Sequence, residues 1–227
     1  MKNAVIFDLD ETLFDRTGSL RLFLTDQFGR LYPDIFQALE TTIIRFLELD
    51  NRGRRPKDEV YTTLLAELGL NDAGLIAELF DHYEQNAWRF AYGFDGMTKT
   101  LNEIRALGWK IGIVSNGQTH IQMRSLFALN LDRLVDTYLI SETVGLRKPD
   151  PQIFELAALK LSVLPSDCVF VGDAPEADII GAQRAGMKTV WFPNGAHWPK
   201  DLATKPDATI HSLMKLTGVL RELNGLR

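Results

Sequence analysis

The stretch Ala4-Val5-Ile6-Phe7-Asp8-Leu9-Asp10-Glu11-Thr12-Leu13 opens on four apolar residues and then sets two carboxylates two positions apart. The run Ala4–Leu9 reads as a buried strand, short and apolar and ending in acid. Side chains alternate across a strand, so Asp8 and Asp10 are expected to face one pocket and Phe7 and Leu9 the other side. Further short apolar runs follow at Lys110–Val114, Thr137–Ile140, Cys168–Val171 and Thr189–Phe192. Helical patterns lie between most of them. Leu101, Ile104 and Leu107 precede Gly108, a C-terminal stop. Asp150-Pro151 reads as an N-cap followed by proline at the first helical position, with Phe154, Ala157, Ala158 and Leu161 as the apolar face. Ile179, Ile180 and Ala182 lead to Gly186. Strand alternating with helix predicts an α/β fold: a Rossmann-like parallel sheet with helices on both faces.

From about Asp15 to Ala91 the pattern is helical only. Leu20, Phe23, Leu24, Phe28 and Leu31 share one face; Ile35, Leu39, Ile43, Phe46 and Leu47 a second; Val60, Leu64, Leu65 and Leu68 a third; Leu75, Ile76, Leu79, Phe80 and Tyr83 a fourth. Four amphipathic helices can bury these faces on one another. They predict a helical domain, residues 15–96, inserted after the first strand of a core formed by residues 1–14 and 97–227. The connections fall near Phe14–Gly18 and Tyr92–Gly96, the second with glycines suited to a hinge.

Ligands of an open parallel sheet bind beyond the carboxyl ends of its strands. Asp8 and Asp10 follow the first strand, Ser115 and Asn116 the second, and Asp173 and Asp178 the fourth. Lys148 lies between the third and fourth, with Pro149 restricting its backbone. Four carboxylates against one lysine leave a large negative excess, which a hard divalent cation would resolve, and all-oxygen ligands favour magnesium. With the cation in place, Lys148, the Ser115 hydroxyl and the hydroxyl or amide of Thr12 are suitable donors to a phosphoryl group.

These segments resemble the four motifs of the haloacid dehalogenase-like superfamily. Asp8-Leu9-Asp10-Glu11-Thr12-Leu13 is similar to the first, Ser115-Asn116 to the second, Lys148-Pro149-Asp150-Pro151 to the third, and Gly172-Asp173-Ala174-Pro175-Glu176-Ala177-Asp178 to the fourth. They occur in the family's order and cover nearly the whole chain. The helical insert resembles the small cap of the family's first cap class. The resemblance implies that Asp8 attacks phosphorus to form an aspartyl-phosphate, and that Asp10 acts as general acid and then base. It implies magnesium held by Asp8, the main-chain carbonyl of Asp10, Asp173 and Asp178. It implies phosphoryl oxygens held by Lys148 and Ser115, with Thr12 and Asn116 beside them. Members that cleave carbon–halogen or carbon–phosphorus bonds lack an acid at the position of Asp10, so phosphate-ester chemistry is favoured. In resembling proteins the connection holding Arg52, Arg54 and Arg55 faces the active site, where these residues would grip an anionic part of the substrate. As a solvated turn they need no function. Asn116 orients Asp8 or only shapes its turn, and Glu11 carries no assigned chemistry.

A net charge of -5 leaves no basic surplus for a nucleic-acid backbone. No apolar run approaches the roughly 18 residues of a membrane span. The start has no charged leader, which predicts a cytoplasmic protein. Cys168 is the sole cysteine and sits in an apolar run, so it reads as a core residue. The expected activity is magnesium-dependent hydrolysis of a small-molecule phosphate monoester, such as a sugar phosphate or nucleoside monophosphate. A sugar phosphomutase and a non-catalytic phospho-metabolite binder are the alternatives.

Overall fold

The structure, a computed structural model, describes residues 3–225. Strand β1 (Ala4–Phe7) is followed by helices α1 (Arg16–Leu24), α2 (Leu39–Asp50), α3 (Lys57–Glu67) and α4 (Ala73–Asn86). The chain then alternates through α5 (Met97–Ala106), β2 (Lys110–Ser115), α6 (Thr119–Ala128), β3 (Thr137–Ile140), α7 (Ser141–Val144) and α8 (Pro151–Leu161). It closes with β4 (Cys168–Gly172), α9 (Gly181–Arg184), β5 (Lys188–Trp191), β6 (Ala208–Thr209) and α10 (Leu216–Leu223). It divides into two compact units, one running through Asp15 and again from Gly93 onward, the other Arg16–Tyr92.

In the first unit the strands form one sheet in the order β3-β2-β1-β4-β5-β6, every pair parallel. The expected parallel sheet is therefore present. β1 is central, so Asp8, the residue after Phe7, emerges between the ends of β2 and β4. Both faces of β1 are covered: Ala4, Val5, Ile6 and Phe7 are all fully buried, as a strand with helices on each side requires. On one face Ala4 and Ile6 pack with Ile153, Phe154 and Ala157 of α8. Phe154 meets Phe170 edge-on, with centroids 4.9 Å apart. Asp150 caps α8 as its sequence indicates, its carboxylate accepting from the Gln152 amide at 2.9 Å.

The Arg16–Tyr92 unit has its own core of Phe23, Phe28, Phe46, Tyr61, Leu64, Leu65 and Leu79. Gln27 crosses it, accepting from Tyr61 Oη at 2.6 Å and donating to the Leu79 carbonyl at 2.8 Å. Asp50, at the end of α2, is buried and accepts from both Arg16 guanidinium nitrogens, from the Gly53 amide and from Lys57. Burial raises its carboxyl, but Arg16 and Lys57 outweigh burial and hold it below its ordinary value.

Several expectations shift. The first strand ends at Phe7 rather than Leu9, because residues 9–14 turn on the Leu9 carbonyl, which accepts from the amides of Leu13 and Phe14. Glu11 takes φ +63 in that turn. Leu31 is exposed although it was placed on the buried face. Residues Thr25–Leu31 continue α1 as a π-helical turn, whose wider winding rotates later positions off the α-helical stripe. Leu68, the residue after α3, is exposed where the helix has already stopped.

Candidate active site

The carboxyl ends of β1, β2 and β4 bring the acidic residues to one place. Asp8 is anchored by its amide, which donates to the Val171 carbonyl of β4 at 2.9 Å. Asp173 directly follows β4, and Asp178 lies in a π-helical turn, Pro175–Ile180, five residues on. Oxygens of Asp8, Asp173 and Asp178 all lie within 4.8 Å of one another, and all three residues are buried. Asp178 is fixed by the Ala174 amide, which donates to Oδ2 at 2.9 Å. It comes so close to the end of β4 that a Cβ on Gly172 would collide with its carboxylate, which is why that position has no side chain.

Lys148 enters the same pocket. Its ammonium donates to Asp8 Oδ1 at 2.5 Å and stands 2.7 Å from Asp178 Oδ1. Lys148 is thus paired with both buried carboxylates. Burial pulls the lysine down, but Asp178 and Asp8 hold it above its ordinary value, and it stays charged. Burial pushes the Asp8 carboxyl well above the usual carboxylate range. Lys148 opposes this, and Asp178, Asp173 and Asp10 reinforce it. One ammonium does not neutralise three buried carboxylates, so the donor set fits a hard divalent cation.

Two hydroxyls complete the pocket's polar surface. Thr12 Oγ1 and Ser115 Oγ are buried and have no hydrogen-bond partner. Buried hydroxyls in native proteins are almost always satisfied. Two orphans on the turn after β1 and at the end of β2, beside a buried ammonium, are what a tetrahedral oxyanion would satisfy.

The Asn116 side chain exchanges two hydrogen bonds with the main chain of Lys148: Nδ2 donates to the carbonyl at 3.0 Å, and the Lys148 amide donates to Oδ1 at 3.0 Å. These bonds hold the backbone of the lysine. Asp10 also has a partner that sequence reasoning missed. Gln122 of α6 donates through Nε2 to Asp10 Oδ2 at 2.9 Å. Glu11, given no chemistry, is buried and accepts from Asn194 at 2.6 Å. Neither contact has a sequence signal, since their partners lie 112 and 183 residues apart. The Trp191 indole donates to the Asp173 carbonyl at 2.8 Å, fixing the strand end that carries a metal-ligand candidate.

Arg52, Arg54 and Arg55 lie in the other unit, on the connection from α2 to α3. Arg55 is already engaged, donating to Thr63 at 2.7 Å and pairing with Glu59 at 3.5 Å. The loop itself is shaped: Asn51, Arg52 and Gly53 all have positive φ, and Asp50 holds both its ends. Cys168 is a core residue, its thiol pushed up to about 12 chiefly by burial. Among the described residues no helix is long and apolar enough to cross a membrane.

This geometry has counterparts. Over 235 residues the chain is 31% identical to a glyceraldehyde 3-phosphate phosphatase of Methanopyrus kandleri, covering 98% of this chain and 99% of that one. Among solved structures, a haloacid dehalogenase-type phosphatase from Thermococcus onnurineus is 26% identical with a TM-score of 0.63, covering 97% and 98% of the two chains. A 2-haloacid dehalogenase from Pseudomonas syringae is 30% identical with a TM-score of 0.62, covering 98% and 100%. Residues 5–192, from β1 to just past β5, match the family described as haloacid dehalogenase-like hydrolase. That span holds every strand-end residue of the pocket, and the chain belongs to this family of hydrolases.

Proposed function

We propose that this protein is a phosphoric monoester hydrolase acting on small phosphorylated metabolites, with Asp8 as nucleophile and Mg2+ as cofactor. The observation that carries the reading is the pocket's unmet demand: buried Thr12 and Ser115 hydroxyls without partners beside a buried Lys148 and three clustered carboxylates. Asp8, Asp173 and Asp178 would hold the cation, which when bound shields the phosphoryl charge from the carboxylates. Lys148, kept charged by its neighbours, binds the same phosphoryl group and orients Asp8. Asp8 then displaces the ester oxygen at phosphorus, forming an aspartyl-phosphate while the P–O bond to the alcohol breaks. Asp10 gives its proton to that departing oxygen and takes one from the water that cleaves the acyl phosphate.

The likeness to a haloacid dehalogenase raises carbon–halogen cleavage as a second reading. Asp10 speaks against it: a halide leaves without a proton, and the acid would have nothing to do. The phosphatase-named relatives support phosphate esters, three-carbon and sugar phosphates among them. Arg52, Arg54 and Arg55, on the shaped α2–α3 loop, are the residues we assign to an anionic part of the substrate. The helical unit would serve as the cap and Tyr92–Gly96 as one of its hinges.

The test is phosphate release from a panel of sugar phosphates and nucleoside monophosphates, with Mg2+ and with EDTA. Release that depends on Mg2+ is expected. Halide release from 2-haloacids with no phosphate release from any ester would overturn the reading.

A further inference from the structure

We infer that Gln122 is a positioning residue for the acid–base step, holding the Asp10 carboxylate so that its second oxygen is presented to the leaving group. The inference rests on the assignment of Asp10 as general acid and base made above.

The Gln122 side chain is almost fully buried, at 6% exposure, on the first turns of α6. Its Nε2 donates to Asp10 Oδ2 at 2.9 Å. Its other end, Oε1, is buried with no hydrogen-bond partner. A residue placed there only to fill space would be apolar, since an amide with an unsatisfied oxygen is a poor core group. What the amide gains is the one contact to Asp10.

The room for that contact is built into the loop after β2. A Cβ on Gly117 would fall 2.6 Å from Gln122 Nε2 and 2.9 Å from its Cγ. Gly117 is itself locked: its amide donates to Ser141 Oγ at 3.0 Å, and that hydroxyl returns a bond to the Gly117 carbonyl at 3.4 Å. Ser141 thus fixes the backbone of Gly117 after β2, and the missing side chain there leaves the room in which Gln122 reaches Asp10.

A general acid matters only where the leaving group needs a proton. An alkoxide does; p-nitrophenolate does not. The experiment compares kcat/KM for the fastest sugar phosphate of the panel and for p-nitrophenyl phosphate, in the wild type, Gln122→Met and Gly117→Ala. Gln122→Met keeps the side-chain length and removes the donor. Gly117→Ala keeps the amide but displaces it, and the colliding atoms all belong to the Gln122 side chain and none to the backbone. The ratio of sugar-phosphate to p-nitrophenyl-phosphate kcat/KM is expected to fall about tenfold or more in both variants. An unchanged ratio in an active variant, with both substrates falling together or neither falling, would overturn the inference while leaving the phosphatase assignment intact. A wild type that releases phosphate from neither substrate would overturn the assignment itself, and the inference with it.

Discussion

At the scale of single residues, the pocket depends on side chains that hold other side chains in place. Asn116 holds Lys148 by two main-chain hydrogen bonds. Asn116→Ala removes both, and at about 1 kcal/mol each they should loosen the lysine enough to raise the inhibition constant for inorganic phosphate roughly tenfold. An unchanged constant would mean that Lys148 is held without it. Gly172 leaves space for Asp178. Gly172→Ala should cost about 1–3 kcal/mol of stability by overpacking and raise the Mg2+ concentration for half-maximal activity, both measurable by denaturation and metal titration. Asp8, Lys148, Asp173 and Asp178 were legible in the sequence because each follows a recognisable strand or precedes a proline, and topology gathers strand ends. Gln122 was not. It is one polar residue among several on α6, and its partner lies in the turn after β1, 112 positions away. The contact of Asn116 with Lys148 was hidden for a similar reason: motif position says where a side chain starts, and not which main-chain group it meets.

At the scale of elements, the sheet could be read from its apolar runs, and helices α1 to α5 and α8 from their stripes. What escaped were elements whose pattern is too short or out of phase. β6 has two residues, too few to show alternation. The π-helical turns at Thr25–Leu31 and Pro175–Ile180 break the 3.6-residue period that the stripes rely on. Asp50 escaped too, because a buried acid at a helix end looks like any exposed one in sequence. It ties α1, the end of α2 and the start of α3 through Arg16, Gly53 and Lys57. Asp50→Ala should destabilise the helical unit by several kcal/mol, about 3–5, since it removes the buried carboxylate that pairs with Arg16 and Lys57 and accepts from the Gly53 amide. Its pH dependence has a definite sign. The folded carboxyl lies below its ordinary value, so its contribution is fully present above the unfolded value, near 4, and is lost as pH falls through the folded one. Urea titrations of the wild type between pH 5 and pH 2 should show stability falling, with a shallower fall in Asp50→Ala. Equal slopes would contradict the assignment.

At the scale of the whole molecule, the chain has a net charge of -5 and concentrates part of its acid in one buried cluster. The Asp8 carboxyl is raised in the fold, chiefly by burial. A raised carboxyl makes the metal-free fold lose stability as pH rises from the ordinary carboxylate range through the folded value. A cation bound only by the folded state adds RT ln(1 + [L]/Kd), about 2.7 kcal/mol at a hundred times Kd. Thermal melts should therefore rise with Mg2+ in the wild type and rise much less in Asp173→Asn. Equal rises would place the ion elsewhere. The proposed function turns on one step, the attack of Asp8 on phosphorus. The most direct measurement of it is phosphate release from the best ester of the panel, in saturating Mg2+, by the wild type and by a folded Asp8→Asn protein. Turnover by the wild type with loss of at least about a thousandfold in the variant is the predicted result. Release by Asp8→Asn within tenfold of the wild type would contradict the assignment of Asp8 as nucleophile.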